Sequence, residues 1–183
     1  MERVLAQRTR HLTLVVEELY QPHNGAAVIR TCDGFGIQDL HAICSRNEYR
    51  VSEEIVADAR PWVDLHQYPD TRSCLLHLKQ QGYRILATTL RKGCIPIAEV
   101  DITQKTALCF GTELRGLSEE AHNMADGFVR IPMYGFTQSF NISVSAALCL
   151  SELSEKLRAS DVNWPIGEAE REDLRARWQA PVG

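Results

Sequence analysis

No apolar run in this sequence approaches the length of a membrane span, so no bilayer-crossing helix is expected. Met1-Glu2-Arg3 opens directly onto a mixed polar segment, without the apolar core of a signal peptide. There is no Cys-x-x-Cys pair. Cys32, Cys44, Cys74, Cys94, Cys109 and Cys149 are scattered, several inside apolar runs and none beside histidine ligands. They read as small core residues of a reducing, cytoplasmic compartment, and no metal site is expected. The Gly-x-Gly-x-x-Gly fingerprint of dinucleotide binding is missing, as is the Gly-x-Ser-x-Gly elbow of serine hydrolases. Positive charge is in short supply too. Twenty Lys and Arg face 24 Asp and Glu, for a net charge of −4. That total argues mildly against a nucleic-acid partner. Placement matters more than the sum, however, and Arg3, Arg8 and Arg10, then Arg46, Arg50 and Arg60, form clusters that allow a local basic face.

What remains is an ordinary globular composition, 44% hydrophobic and 24% charged over 183 residues, enough for one domain with a sizeable core. Apolar, β-branched runs predict strands at Thr13 to Glu17, Asp39 to Cys44, Trp62 to Tyr68, Arg84 to Leu90, Ala107 to Gly111 and Phe128 to Pro132. Helical patterns fall between them. One runs through Ala27, Ile29 and Cys32 to Gly34, one from Thr71 to Gln81, and one starts near Ser118. A long helix is expected from about Ser139 to Leu157, with Val144, Ala147, Leu148 and Leu153 as its apolar stripe. Ser45 to Arg60 reads as a loop, Asp161 to Gly167 as a linker, and Glu168 to Trp178 as a final amphipathic helix. Strands alternating with helices predict an α/β domain with a mostly parallel sheet.

In such a sheet ligands sit beyond the carboxyl ends of the strands. Three glycine-bearing segments belong there: Leu90-Arg91-Lys92-Gly93, Gly111 through Ser118, and Tyr134 through Asn141. Gly111, Gly116 and Ser118 have the glycine and serine spacing of a phosphate-cradling loop. Leu117 stands where that loop needs lysine, and Glu113 would repel a triphosphate, so the match fails. Ser139 and Asn141 are good helix caps and equally good ligand contacts at a helix start. Arg30, in an otherwise small and apolar helix, is either an ion-pair partner of Asp33 or Glu17 or a clamp for phosphate or carboxylate.

These residues resemble the three motifs of the SPOUT superfamily of RNA methyltransferases, in their TrmH-type ribose 2′-O-methylating branch. The first is Asn24 with Ile29-Arg30-Thr31. The second is Phe110-Gly111-x-Glu113-x-x-Gly116-Leu117-Ser118. The third is Ile131-Pro132-Met133 followed by Gln138-Ser139-x-Asn141-x-Ser143-Val144-Ser145, and the likeness runs from about Leu12 to Leu157. The resemblance implies a sheet whose carboxyl-terminal part is threaded as a deep trefoil knot, a rare exception to unknotted connectivity. It implies a catalytic domain over 1–158 followed by a linker and helix over 159–183, a homodimer, and S-adenosylmethionine as methyl donor. Carried over from relatives, the donor's contacts are Thr88, Leu90, Gly111, Ile131, Met133 and Phe140.

The same resemblance assigns catalysis to Arg30, surrounded by Asn24, Glu113, Ser139 and Asn141. A ribose hydroxyl is a poor nucleophile, so its proton must be accepted or its developing charge stabilised. Guanidinium groups stay protonated at ordinary pH, which favours a phosphate clamp and alkoxide stabiliser over a general base. A tRNA guanosine in the D-loop is the expected substrate. Relatives acting there carry longer, more basic extensions, whereas Ser160 to Gly183 is net acidic here. Ribosomal RNA, another tRNA position and a need for a partner are therefore alternatives. A binding module that has lost turnover is the rival from another class, opposed by the joint presence of the five catalytic candidates.

Overall fold

A computed structural model describes residues 1–18, 22–44, 60–112 and 115–180. The chain begins with a short helix, α1 (Glu2–Leu5), then β1 (Leu12–Glu17), α2 (Pro22–Gly34) and β2 (Asp39–Ile43). A 3-10 turn at Arg60–Trp62 leads into β3 (Asp64–Tyr68), α3 (Thr71–Gln80) and β4 (Arg84–Thr88). After the short β5 (Ile95–Pro96) and a second 3-10 turn (Ile97–Glu99) come β6 (Thr106–Phe110), α4 (Glu119–Met124), β7 (Gly127–Arg130), α5 (Ile142–Arg158) and α6 (Glu168–Gln179). Every pairing in the seven-stranded sheet is parallel, in the order β3-β2-β1-β6-β4-β7-β5. Among the described residues no helix is long and apolar enough to cross a membrane.

β1, β2 and β6 are buried along their whole length because helices cover both faces of the sheet. The period of two then splits each strand between two cores. Leu12, Leu14, Val16, Leu108 and Phe110 face the layer of α2 and α5, while Val15, Ala107 and Cys109 face α3 and α4. Side-chain caps fix three helix starts. Asp70 accepts from the Ser73 amide at 2.7 Å, Ser118 from the Ala121 amide at 3.0 Å, and Asn141 from the Ser143 amide at 2.9 Å.

Several expectations need correction. The strand expected from Trp62 begins at Asp64, because Pro61 sits in the 3-10 turn. The strands expected to reach Leu90 and Pro132 stop at Thr88 and Arg130, where the chain leaves the sheet to line a cleft. The long helix starts at Ile142, not Ser139, because Asn141 is its cap. Its buried face is Ile142, Ala146, Cys149, Leu150, Leu153 and Leu157. Of the stripe expected, only Leu153 is buried, and Val144 and Leu148 are more than 40% exposed. The loop expected over 45–60 lies, apart from Arg60, outside the described residues.

The expected basic cluster near the start is also dissolved. Arg8 is buried and ion-paired with Asp33, and Arg10 bridges Asp39, Asp64 (2.8 Å) and Glu170 (2.8 Å). Both arginines tie elements together and offer little to a phosphate. The carboxyl-terminal helix packs on its own chain. Leu174 and Ile166 meet Leu5 in a third small core, while Arg175 forks onto Glu2 and Arg177 onto Asp64.

Candidate functional site

Beyond the carboxyl ends of β4, β6 and β7 the chain forms a two-part cleft. The narrower compartment, about 110 Å³, lies among Thr88, Leu90, Val129, Ile131, Met133 and Phe140. The wider one, about 450 Å³, adds Gly111, Thr112, Arg91, Arg115 and His122. Thr88, Thr89, Leu90, Gln138, Ser139, Phe140 and Ser145 border both, so they form one continuous site. All six residues assigned above to the methyl donor line it. The volume suits a nucleoside carrying an amino-acid arm, with apolar walls for a flat ring and a polar end for a charged tail.

The loop after β6 is shaped by one steric fact. A Cβ on Gly111 would lie 2.0 to 2.2 Å from the backbone of Gly116 and Leu117. The loop doubles back onto Gly111, closed by reciprocal backbone bonds between Thr112 and Gly116 at 3.2 and 2.8 Å. Gly116 completes the turn at φ +66°. Thus the space a side chain would take at Gly111 is filled by the loop itself, not kept open for a ligand.

A buried carboxylate locks this loop to the sheet. Glu17, at the end of β1, accepts from the Ser118 amide and hydroxyl, both at 2.7 Å, and from the Thr71 hydroxyl. On the next turn of α4, His122 Nδ1 lies 2.8 Å from the Ser118 carbonyl oxygen, and its Nε2 lies 3.1 Å from the Thr89 hydroxyl. A carbonyl can only accept, so in the neutral ring Nδ1 carries the proton and Nε2 accepts. Thr88 donates to the Cys109 carbonyl at 2.7 Å, pinning β4 to β6 beneath the cleft. At the rim Arg91 pairs with Glu119 and holds that carboxyl below its usual range.

Of the five catalytic candidates, the structure brings three together. Asn141 Nδ2 donates to Oδ1 of the buried Asn24 at 3.2 Å, which joins the start of α2 to the start of α5. Ser139, two residues earlier, borders both compartments. Glu113 lies outside the described residues. Arg30 is exposed and, like Asn24 and Asn141, is not among the residues bordering the cleft, but unlike Asn141 it has no chain neighbour there. Six residues along α2 place it about 9 Å from Asn24 along the axis and on a different face. Its place in an otherwise small and apolar helix does not bury it; the fully buried arginine is Arg8, which takes Asp33 as its ion-pair partner. The sequence reading missed Glu17 and His122 as site residues. A carboxylate ending a wholly apolar strand was the available signal for Glu17, whereas nothing local marked His122.

A model of the SpoU rRNA Methylase family matches residues 11–151. The tRNA (guanosine(18)-2′-O)-methyltransferase of Borreliella burgdorferi is 39% identical over 182 residues, covering 100% of this chain and 84% of the relative. The enzyme of the same name from Escherichia coli K12 is 34% identical over 183 residues, covering 98% and 80%. The crystal structure of the A. aeolicus TrmH/SpoU tRNA modifying enzyme superposes with a TM-score of 0.86 at 31% identity, covering 95% of this chain and 90% of that one.

Proposed function

This chain belongs to the SpoU rRNA Methylase family, and on that premise we propose that it methylates the ribose 2′-hydroxyl of guanosine 18 in the D-loop of tRNA, using S-adenosylmethionine. The observation that carries this reading is the cleft, where the loops after β4, β6 and β7, two of them motif-bearing, converge beside the Asn24–Asn141 bond. When bound, the donor supplies a methyl group on a sulfonium centre, an electrophile that needs no metal or phosphate partner. The ribose oxygen attacks that methyl as the carbon–sulfur bond breaks, and the hydroxyl proton passes to phosphate or water.

The protein's part is positioning and charge stabilisation. Thr88, Leu90, Ile131, Met133 and Phe140 wall the narrow compartment, where they exclude water from the ring. Gly111 holds the neighbouring loop tight. Ser139 and the Asn24–Asn141 pair orient the ribose, and Glu113 holds the loop that carries it. Arg30 clamps the adjacent phosphate and stabilises the forming alkoxide.

Because Arg30 stands outside the cleft of its own chain, we read the working unit as a homodimer in which Arg30 serves the partner's cleft. Val144 and Leu148, one turn apart and exposed on α5, supply an apolar face for that contact. The strand order supports threading of the carboxyl-terminal part into a knot. β4 lies between β6 and β7, and Ile131, Met133, Gln138, Ser139 and Phe140 line the cleft those strands share as the chain passes to α5. Residues 1–158 form the catalytic domain, and 159–183 a linker and helix that close onto α1. Six unbridged cysteines favour a reducing, cytoplasmic setting.

Mass-spectrometric mapping of unmodified tRNA incubated with protein and donor tests the assignment. One methyl group on the ribose of guanosine 18 is expected. Methylation confined to ribosomal RNA or to another tRNA position would overturn it.

A further inference from the structure

At the seam where the two ends of the chain meet, Met1, Val4, Arg8, Asp33, Trp62 and Trp178 surround a cavity of about 300 Å³. Its two indoles stand edge to face, with centroids 5.4 Å apart at 87°. The Arg8 guanidinium lies 5.2 Å from the centre of the Trp178 ring. Its side chain is 1% exposed and its Nη2 is paired with Asp33, yet Nε and Nη1 have no hydrogen-bond partner among the described residues. Buried donors without acceptors are costly and uncommon.

Closing the seam accounts for only part of this arrangement. Trp178 packs on the small core of Leu5, Ile166 and Leu174, helped by the forked pair between Arg175 and Glu2, whereas Arg8, Asp33 and Trp62 stand outside that core. The lining is mixed in a way that narrows the occupant. A bare phosphate would meet the Asp33 carboxylate, and a simple cation would meet Arg8. An aliphatic chain would leave the arginine donors unsatisfied. The free Arg8 donors are sealed off with the side chain at rest, so an occupant meets them as the guanidinium turns toward the cavity. A flat heterocycle with acceptor and donor atoms on its edge then satisfies Arg8 and Asp33 together, and presents a face to the indoles. We propose that this cavity binds a single unstacked nucleobase, delivered either as part of RNA or as a free nucleoside. The proposal rests on the cavity alone, so it and the methyl-transfer reading can fail separately.

The test uses the full-length protein with ¹⁵N-labelled indoles. The chain has three tryptophans, and Trp164, packed against Arg158 at 4.6 Å, is not among the lining residues and serves as an internal control. Guanosine and a short single-stranded RNA are titrated in turn. The Trp62 and Trp178 resonances are expected to move while Trp164 stays put. Movement with guanosine identifies the base itself as sufficient, and movement with RNA alone identifies a base presented on a polynucleotide. Val4→Phe fills the cavity from an exposed helix position and should weaken the response at least tenfold. Arg8→Lys, which keeps the charge and removes the fork, should weaken it as well. The proposal fails if neither probe moves Trp62 and Trp178, if all three indoles shift together, or if Val4→Phe binds as the parent does.

Discussion

Replacing Gly111 by alanine should disable donor binding, and the structure says by how much. The added Cβ would stand 2.0 Å from the Gly116 carbonyl carbon and 2.1 Å from the Leu117 nitrogen, both backbone atoms that cannot swing aside like a side chain. To accommodate it the loop must lift, which breaks the two Thr112–Gly116 backbone bonds. Those bonds are worth roughly 1 kcal/mol each. Overpacking adds about 1–3 kcal/mol, for a total of about 3–5 kcal/mol. If the loop stays closed and the whole domain carries the strain, melting falls by roughly 6–20 °C at about 2–4 °C per kcal/mol. If instead the loop opens, stability survives and affinity for S-adenosylmethionine drops by about two orders of magnitude or more. Gly116→Ala is the control. Nothing lies within 4 Å of its added Cβ, and its penalty is the φ of +66° alone, about 1 kcal/mol. Calorimetric titration with the donor and thermal melting, run on both variants, decide the matter. If Gly111→Ala binds and melts like the parent, or is milder than Gly116→Ala, the steric argument is wrong.

Glu17→Gln places an amide donor among donors from Ser118 and Thr71. It should cost about 1–3 kcal/mol in urea unfolding and speed amide exchange at residues 116–118; unchanged exchange there would contradict the lock. Mixing Arg30→Ala chains with Asn141→Ala chains should restore about a quarter of the parental methylation if Arg30 acts across a dimer. Inactivity of the mixture would place it in its own chain's site. Burial, with His66 nearby, pushes the His41 imidazole down to about 4, so the folded state excludes its charged form. Stability should be full above pH about 6.5 and decline toward pH about 4, by at most about 3 kcal/mol. His41→Gln should flatten that limb of the urea midpoint against pH, and an unaltered slope would count against the assignment. Burial alone would raise the Asp39 and Asp64 carboxyls. For Asp39 the His66 bond and Arg10 outweigh it, and for Asp64 the bonds from Arg177 and Arg10 do, so both sit below the usual range. Their contribution is lost only at still lower pH.

Much of the architecture could be read locally. The apolar runs of β1, β2 and β6, the helix stops at Gly34 and Gly82, and the caps Ser118 and Asn141 each follow from a few neighbouring residues. The three motifs were legible for the same reason, since each is contiguous and needs glycine or a small polar group at a turn. Where burial was inferred from composition alone the reading slipped. Val144 and Leu148 are apolar and outward-facing, because the buried face of α5 is set by the position of α2 and the sheet. Arg8, read as part of a basic cluster, is buried while Arg30 in its apolar helix is exposed, for a similar reason: burial depends on what packs against a residue and not on the composition around it.

The residue pattern itself settled the alternation of strands and helices, the parallel sheet and the family, because periods of 2 and 3.6 and short motifs are properties of adjacent residues. Folding decided that Glu17 would grip Ser118, that Asn141 would reach Asn24, and that Arg8 and Arg10 would be spent on carboxylates from distant elements. Partners separated by 25 to 160 positions meet only through the path the chain takes, and no local regularity encodes that path.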